Sequence, residues 1–245
     1  MDIHAIRTAF AFGDSLAERA IAFRDSRLIQ LRERRSQVPV PPGALLAVHV
    51  VPVLSITRRN AHAVGALKTA AERLQRARPA GYDLSQPSVN YEGVICTSAA
   101  DEQRQHFAYA QLFRDGCIEL VGAPATEQMG QPALATIYPR EYELRLVQRG
   151  FPAIAETLAA LEIPAPAYLF VSLLRVHNHR VFIRRPNGLS GFPQLPFHIS
   201  ELVASPVYIE DLGTDPATLL APALDVLWNA VGVDQSQTDF TEDDD

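Results

Sequence analysis

The side chains of this chain that could do chemistry are histidines, acids and thiols set within apolar runs. His49 stands inside Leu45–Ser55, Glu92 near the start of Tyr91–Thr97, and Glu119 just past the bend at Asp115-Gly116. A histidine such as His49 could serve as a catalytic base. A histidine in so apolar a run reads first as buried and bonded to backbone. Paired carboxylates with a lysine would point to a metal-dependent nuclease, but Lys68 is the only lysine and falls on a helix face. Cys117 and His106 belong to one hairpin, yet a nucleophilic thiolate needs an accessible, electropositive setting. His177-Asn178-His179 sets two imidazoles on one face of an extended segment. Two such ligands without a carboxylate make a poor metal site, so a polar turn is expected there. Neither the G-x-x-x-x-G-K-[ST] nor the G-x-G-x-x-G phosphate loop occurs. No catalytic residue, metal or cofactor is therefore assigned. The polar residues singled out as a binding cluster are His49, Asn90, Glu92, Arg114 and Glu119, with Glu119 reaching Arg114 as an ion pair and Asn90-Glu92-Gly93 defining a turn.

The elements that must position these residues follow from periodicity. Ser15-Leu16-Ala17-Glu18 is a capping-box pattern that opens a helix to about Arg35. Ile21, Leu28 and Leu31 share one side of it, and Arg24, Arg27, Arg32, Arg34 and Arg35 mostly fill the rest. Val38-Pro39-Val40-Pro41-Pro42-Gly43 then breaks the chain. Leu45–Ser55 has the continuous apolar character of a strand covered on both faces. Helical spacing returns over Ala61–Arg76, and a strand follows at Tyr91–Thr97. His106–Val121 is a hairpin, its Asp115-Gly116 bend suited to positive φ. Gly122–Pro132 reads as a surface loop. Leu144 to Leu161 steps by three and four along one helical axis, kinked by Pro152. Tyr168–Val176 and Arg180–Arg184 read as strands paired across His177-Asn178-His179, Phe197–Ile209 as extended, and Leu220–Val231 as a last helix stopped by Gly232. The class is α+β, a central mainly antiparallel sheet with packed helices. Its parts are a helical segment 1–36, a globule 37–232 and an acidic disordered tail 233–245.

Charge restricts the partners. The net charge of −6 resides in the six acids from Asp234 onward; without them 22 acids face 22 bases. A neutral body lacks the field of a broad nucleic-acid binder, although it leaves room for one local basic patch. Arg58-Arg59, Arg73-Arg76-Arg78 and Arg184-Arg185 are the basic clusters that would matter if they converged. No apolar run nears the roughly 20 residues of a membrane helix, and Met1–Phe12 has no secretory h-region. Free buried thiols at Cys96 and Cys117 fit a cytoplasmic location.

A series of motifs carries a family resemblance. In order they are Phe23-Arg24-Asp25-Ser26-Arg27-Leu28, Val48-His49-Val50-Val51-Pro52, Asn90-Tyr91-Glu92-Gly93 and Gln111-Leu112-Phe113-Arg114-Asp115-Gly116-Cys117-Ile118-Glu119. Leu173-Leu174-Arg175-Val176 and Pro222-Ala223-Leu224-Asp225-Val226-Leu227-Trp228-Asn229-Ala230 follow. From Phe23 to Gly232 the chain resembles the C-terminal region of bacterial proteins that begin with a Schlafen-type, Alba-like DNA-binding domain. Here about a dozen residues precede the helix expected from Ser15, so that domain's activity is not carried over. The resemblance implies a non-catalytic interaction module, partner of a separately encoded effector in a nucleic-acid-associated system such as a defence system. It would dock a protein through the N-terminal helix, with direct contact to nucleic acid left open. A hydrolase or nuclease acting on nucleic acid and a small-ligand sensor are the alternatives.

Overall fold

A strand buried on both faces needs a covering layer on each side, and the fold supplies both. The computed structural model describes residues 3–58, 61–126, 136–183, 191 and 195–241, with side chains from Ser15 onward except at 125–126. Strands β1 (Leu45–Pro52), β2 (Ser88–Asn90), β3 (Gly93–Thr97), β4 (Ala108–Phe113) and β5 (Ile118–Gly122) belong to one antiparallel sheet with β8 (Ala167–Leu174), β10 (Glu201–Val203) and β11 (Val207–Ile209). Its order is β10-β8-β1-β5-β4-β3-β2, with β11 also on β8. A smaller sheet joins β6 (Ala125–Thr126), β7 (Thr136–Ile137) and β9 (Arg180–Val181). The protein is therefore α+β.

Alternation along each strand divides the side chains between two layers. Val48, Val50, Ile118, Leu120, Ala110 and Leu112 face the larger core. There they pack with α3 (Val64–Ala71), the 3-10 turn Glu72–Ala77, α5 (Phe151–Ala160) and α6 (Pro216–Asn229). Leu45, Ala47, Val51, Tyr109, Cys117, Val121 and Phe170 face the other way, under α1 (Ile3–Arg32). Leu28 and Leu31 pack on one patch of this face and Ala20 on another, so the apolar contact beneath α1 is divided.

Several expectations change in the folded chain. The first helix begins at Ile3, so Ser15 lies inside it: the upstream residues continue the helix, and the capping-box pattern has no terminus to cap. β1 stops at Pro52 and gives way to a short helix α2 (Val53–Thr57). Ahead of Pro152, α4 (Pro139–Arg145) runs into a π segment, Leu146–Gly150, in which Phe151 N–H donates to Leu146 O. The wider turn makes room where proline lacks a donor and crowds the preceding turn. β8 and β9 do not pair across His177-Asn178-His179, because β8 is flanked by β1 on one side and by β10 and β11 on the other; β9 runs parallel to β7. In the expected surface loop, Ala125–Thr126 forms β6, and residues 127–132 lie outside the described set.

The acidic C-terminal segment also departs from a solvated tail. Up to Thr241 it folds back on α4 and α6: Ser236 N–H donates to Asp225 (2.8 Å) and Gln148 donates to Phe240 O (3.0 Å). The Phe240 ring packs against the larger core. Its apolar ring and its hydroxyl donors give this stretch partners that its charge pattern does not reveal. Residues 242–245 lie outside the described set.

Candidate functional site

Between the two apolar patches beneath α1 runs a polar band. It is built on strand register: His49 on β1 pairs with Glu119 on β5, and Glu119 pairs with Gln111 on β4. Residues directly opposite on neighbouring strands share a face, so the three side chains form a row pointing at the helix. Arg27 descends from α1 onto this row. Arg24 and Arg27 are 9% and 3% exposed, because the stripe Leu16, Ala20, Arg24, Arg27, Leu31 is the face that α1 lays on the sheet.

Glu119 is the centre. Arg27 binds it bidentately, Nε to Oε2 and Nη2 to Oε1, both 2.9 Å. His49 Nε2 stands 2.9 Å from Oε2, and the Tyr109 hydroxyl donates to Oε1 at 2.8 Å. Burial by itself would raise the carboxyl pKa, but the hydrogen bonds and charges of His49 and Arg27 outweigh it and bring it down to about 2. Burial opposes the Arg27 charge as well, and Glu119 again prevails, holding the guanidinium firmly protonated. Tyr109 is driven well upward by burial and by the neighbouring Glu119 charge. The third Arg27 nitrogen, Nη1, turns outward to Gln30 (2.6 Å) and Glu92 (3.1 Å), and the guanidinium lies 4.8 Å from the Phe113 ring centroid.

Two tight turns complete the rim. Asn90 ends β2, and Tyr91-Glu92 forms a two-residue turn into Gly93. At Gly93 (φ +154°) a Cβ would meet Leu112 O at 2.2 Å, so only glycine brings this turn so close to β4. Asn90 holds the turn through Gly93 N–H (2.8 Å) and donates to Gln111 (2.6 Å). Glu92 also accepts from Gln37 at 2.5 Å. The β4–β5 bend, with Gly116 at φ +90°, is joined to this turn by Arg114, whose N–H donates to Glu92 O (3.0 Å) and whose Nε donates to Tyr91 O (3.3 Å).

The five residues singled out from sequence thus lie along one structure, although not as an active centre. His49 and Glu119 are its buried floor, Asn90 and Glu92 its wall, and Arg114 its exposed rim. Glu119 pairs with Arg27 and not Arg114, since alternation points it at α1 while Arg114 leaves the hairpin at its bend. Arg27, Gln111, Tyr109 and Gln37 were missed. A signal for Arg27 was present in the helical stripe that runs through it, but hydrophobicity alone discards an arginine there.

Above the floor opens a groove of about 710 Å³ between α1, α2 and the two turns. Phe23 and Phe113 meet edge to face at 5.4 Å, and Ser26, Gln30, Glu92, Arg114 and Asp115 add polar walls. Tyr91 stands at the mouth, 91% exposed.

The other candidates lie elsewhere. Cys117 is buried at the hairpin bend, its thiol pushed up by burial and by Asp115. His106, near the opposite end of the ladder, bonds Ser98 O, so the two never meet. Cys96 is raised to about 12 by burial. His177 and Asn178 form an exposed turn, with His179 Nδ1 3.2 Å from His177 O. Among the described residues no three His, Cys, Asp or Glu side chains gather as metal ligands, and no helix is long and apolar enough to cross a membrane. Comparison with protein-family models, with curated proteins and with solved structures returned no match.

Proposed function

We propose that this protein is a non-catalytic interaction module, the partner of a separately encoded effector in a nucleic-acid-associated system, and that the groove beside α1 receives a segment of that partner protein. One observation carries the reading. The residues with catalytic chemistry, Glu119 and His49, are fully buried, and the Glu119 carboxylate is already occupied by Arg27, His49 and Tyr109. A general acid or base must reach its substrate, and this pair reaches only the protein's own side chains. It acts instead as a rigid floor, and what solvent meets is a rim of Tyr91, Arg114 and Phe23. Tyrosine and arginine are the side chains on which protein interfaces most often concentrate their energy.

The motifs behind the family resemblance support the same place. Phe23–Leu28, Val48–Pro52, Asn90–Gly93 and Gln111–Glu119 are distant in sequence, yet their polar members meet at this floor and rim. The expected docking helix is narrowed accordingly. The stripe of α1 containing Ala20, Leu28 and Leu31 covers the sheet, and the wall from Phe23 to Gln30 faces the groove.

The test is co-expression with the products of neighbouring genes, followed by purification and titration of the isolated pair. A stable complex is expected, weakened by about 30-fold in Tyr91→Ala or Arg114→Glu, the effect of an interface hot spot of about 2 kcal/mol. A chain that remains alone beside every neighbour, or a complex indifferent to both substitutions, removes the basis for the proposal. The cavity volume also suits a small molecule, as such sites span roughly 300–1,000 Å³. A thermal-shift screen with common metabolites addresses that second reading.

A further inference from the structure

A second cavity opens behind the β4–β5 bend. It lies between α2 and the residues that follow it, the Asp115-Gly116 bend and the chain leaving α5, and it holds about 190 Å³. That is below the roughly 300–1,000 Å³ of sites for drug-sized ligands, so its occupant is smaller than a nucleotide. Ser55 and Asp115 line both this cavity and the groove, while its other walls are its own.

Opposite charges line the cavity without meeting. Arg58, just past α2, and Glu162, just past α5, are both exposed, and among the described residues neither has an ion-pair partner. Asp115 accepts from Cys117 N–H at 3.0 Å through one carboxylate oxygen. Ser55 Oγ donates its proton to Asp115 O (2.7 Å), which leaves its lone pairs for a further donor. Ser55 Oγ and His62 Nε2 stand 3.5 and 3.7 Å from the place a Cβ on Gly116 would occupy, so glycine keeps this corner open. Leu54, Leu161 and Ile163 make up the apolar part of the lining.

The backbone at Glu162 points to the same use. α5 ends in a Schellman turn, in which Ile163 N–H donates to Leu158 O (2.9 Å) and Glu162 N–H to Ala159 O (3.0 Å). Glu162 therefore takes the left-handed position, at φ +56°, which glycine fills without strain. A glutamate held there against its steric preference supplies what glycine would not, a carboxylate at the cavity.

We propose that this cavity binds a free α-amino acid with an aliphatic side chain. The carboxylate of the amino acid pairs with Arg58 and accepts from His62. Its ammonium donates to Asp115, Glu162 and the Ser55 hydroxyl, and its side chain lies against Leu54, Leu161 and Ile163. A ligand that carries both charges satisfies both walls at once, as a simple anion or cation does not.

The test is a thermal-shift measurement on the full chain with L-valine, L-leucine, L-isoleucine and L-methionine, followed by calorimetric titration of the best. Each is added at about 10 mM, which fills even a millimolar site. At least one should raise the midpoint. The deaminated and the decarboxylated analogue of that amino acid should each bind about tenfold more weakly or worse, the worth of a charge-assisted hydrogen bond. Arg58→Ala should give a loss of the same size. Glu162→Gly separates function from structure: relief of the left-handed backbone should raise the midpoint of the free protein while affinity falls. No shift with any of the four amino acids overturns the proposal, as does affinity unaltered by Arg58→Ala and Glu162→Gly. A deaminated analogue that binds as tightly as the amino acid also overturns it, in favour of a plain anion site. Tyr91→Ala, at the mouth of the groove, should leave amino-acid affinity as it was, so this proposal and the groove's partner fail separately.

Discussion

Glu119 and Glu143 are both fully buried carboxylates, yet their surroundings drive them in opposite directions. Glu119 sits between sheet and α1 with a bidentate guanidinium, an imidazole and a phenol, and its pKa falls to about 2. Glu143 sits between α4 and α6 with neutral donors: Trp228 Nε1 at 2.7 Å, Ser236 Oγ at 2.6 Å and Thr238 Oγ1 at 2.5 Å. Burial pushes Glu143 up, those donors pull it partly back, and the Asp225 charge pushes again, leaving it at about 7. Neutral hydrogen bonds satisfy a buried carboxylate without offsetting the cost of its charge, whereas a cation in contact does both. Glu119 is accordingly a fixed charge that locks α1 to the sheet. Glu143 is a titrating group that holds down the C-terminal segment.

The largest effect should come from separating the ion pair. Arg27→Ala leaves Glu119 buried without its cation and should cost about 3–5 kcal/mol in denaturant unfolding. A loss of under about 1 kcal/mol would mean that the buried carboxylate does not depend on Arg27.

Next is the acid limb. Because the folded pKa of Glu119 lies below the ordinary 4.5, its contribution is complete above pH 4.5 and is lost as pH falls through about 2. That linkage amounts to about 3 kcal/mol. Glu119→Gln should abolish this limb of the stability–pH curve, as well as lowering stability at neutral pH.

Glu143 should show the reverse sign. Its folded pKa is raised from 4.5 to about 7, so its contribution is complete below pH 4.5 and is lost as pH rises through about 7. Glu143→Gln should therefore gain on the parent chain by about 3 kcal/mol between pH 4.5 and 8. Trp228 is the only tryptophan and donates to this carboxyl, so its fluorescence should titrate near pH 7 in the parent and stay flat in the variant.

The smallest effect concerns the C-terminal segment. Ser236→Ala with Thr238→Ala removes two donors and should move the Trp228 titration to higher pH, with a stability loss of about 1–2 kcal/mol. An unmoved midpoint would show that these hydroxyls do not reach Glu143 in solution.

Much of this architecture was legible beforehand, and the reasons are local. The Asp115-Gly116 bend, the strand at Leu45 and the stop at Gly232 (φ +79°) each follow from backbone preference or apolar periodicity, which neighbouring residues settle among themselves. The exceptions were also local patterns, overruled from a distance. The capping box at Ser15 carries a valid terminus signal, but the helix continues through it. His177-Asn178-His179 turns the chain as expected, although β8 then finds its partners elsewhere.

The polar site followed a different logic. Its members could be picked out singly, because an acid or histidine in an apolar strand must find a partner, and His49 and Glu119 stood out for that reason. Which partner it finds depends on register and on which helix covers the face. Arg114 lies five residues from Glu119 and was the natural choice from spacing; Arg27 lies 92 residues away and is the actual one. Sequence alone therefore determined the class of the fold, its principal turns and the list of polar residues under constraint. Only the tertiary structure decided their pairing, the opposed titration of the two buried carboxylates and the docking of the acidic segment. The reason is that periodicity acts over a few residues, while the dielectric surroundings and counter-charge of a buried group come from whatever the fold places against it.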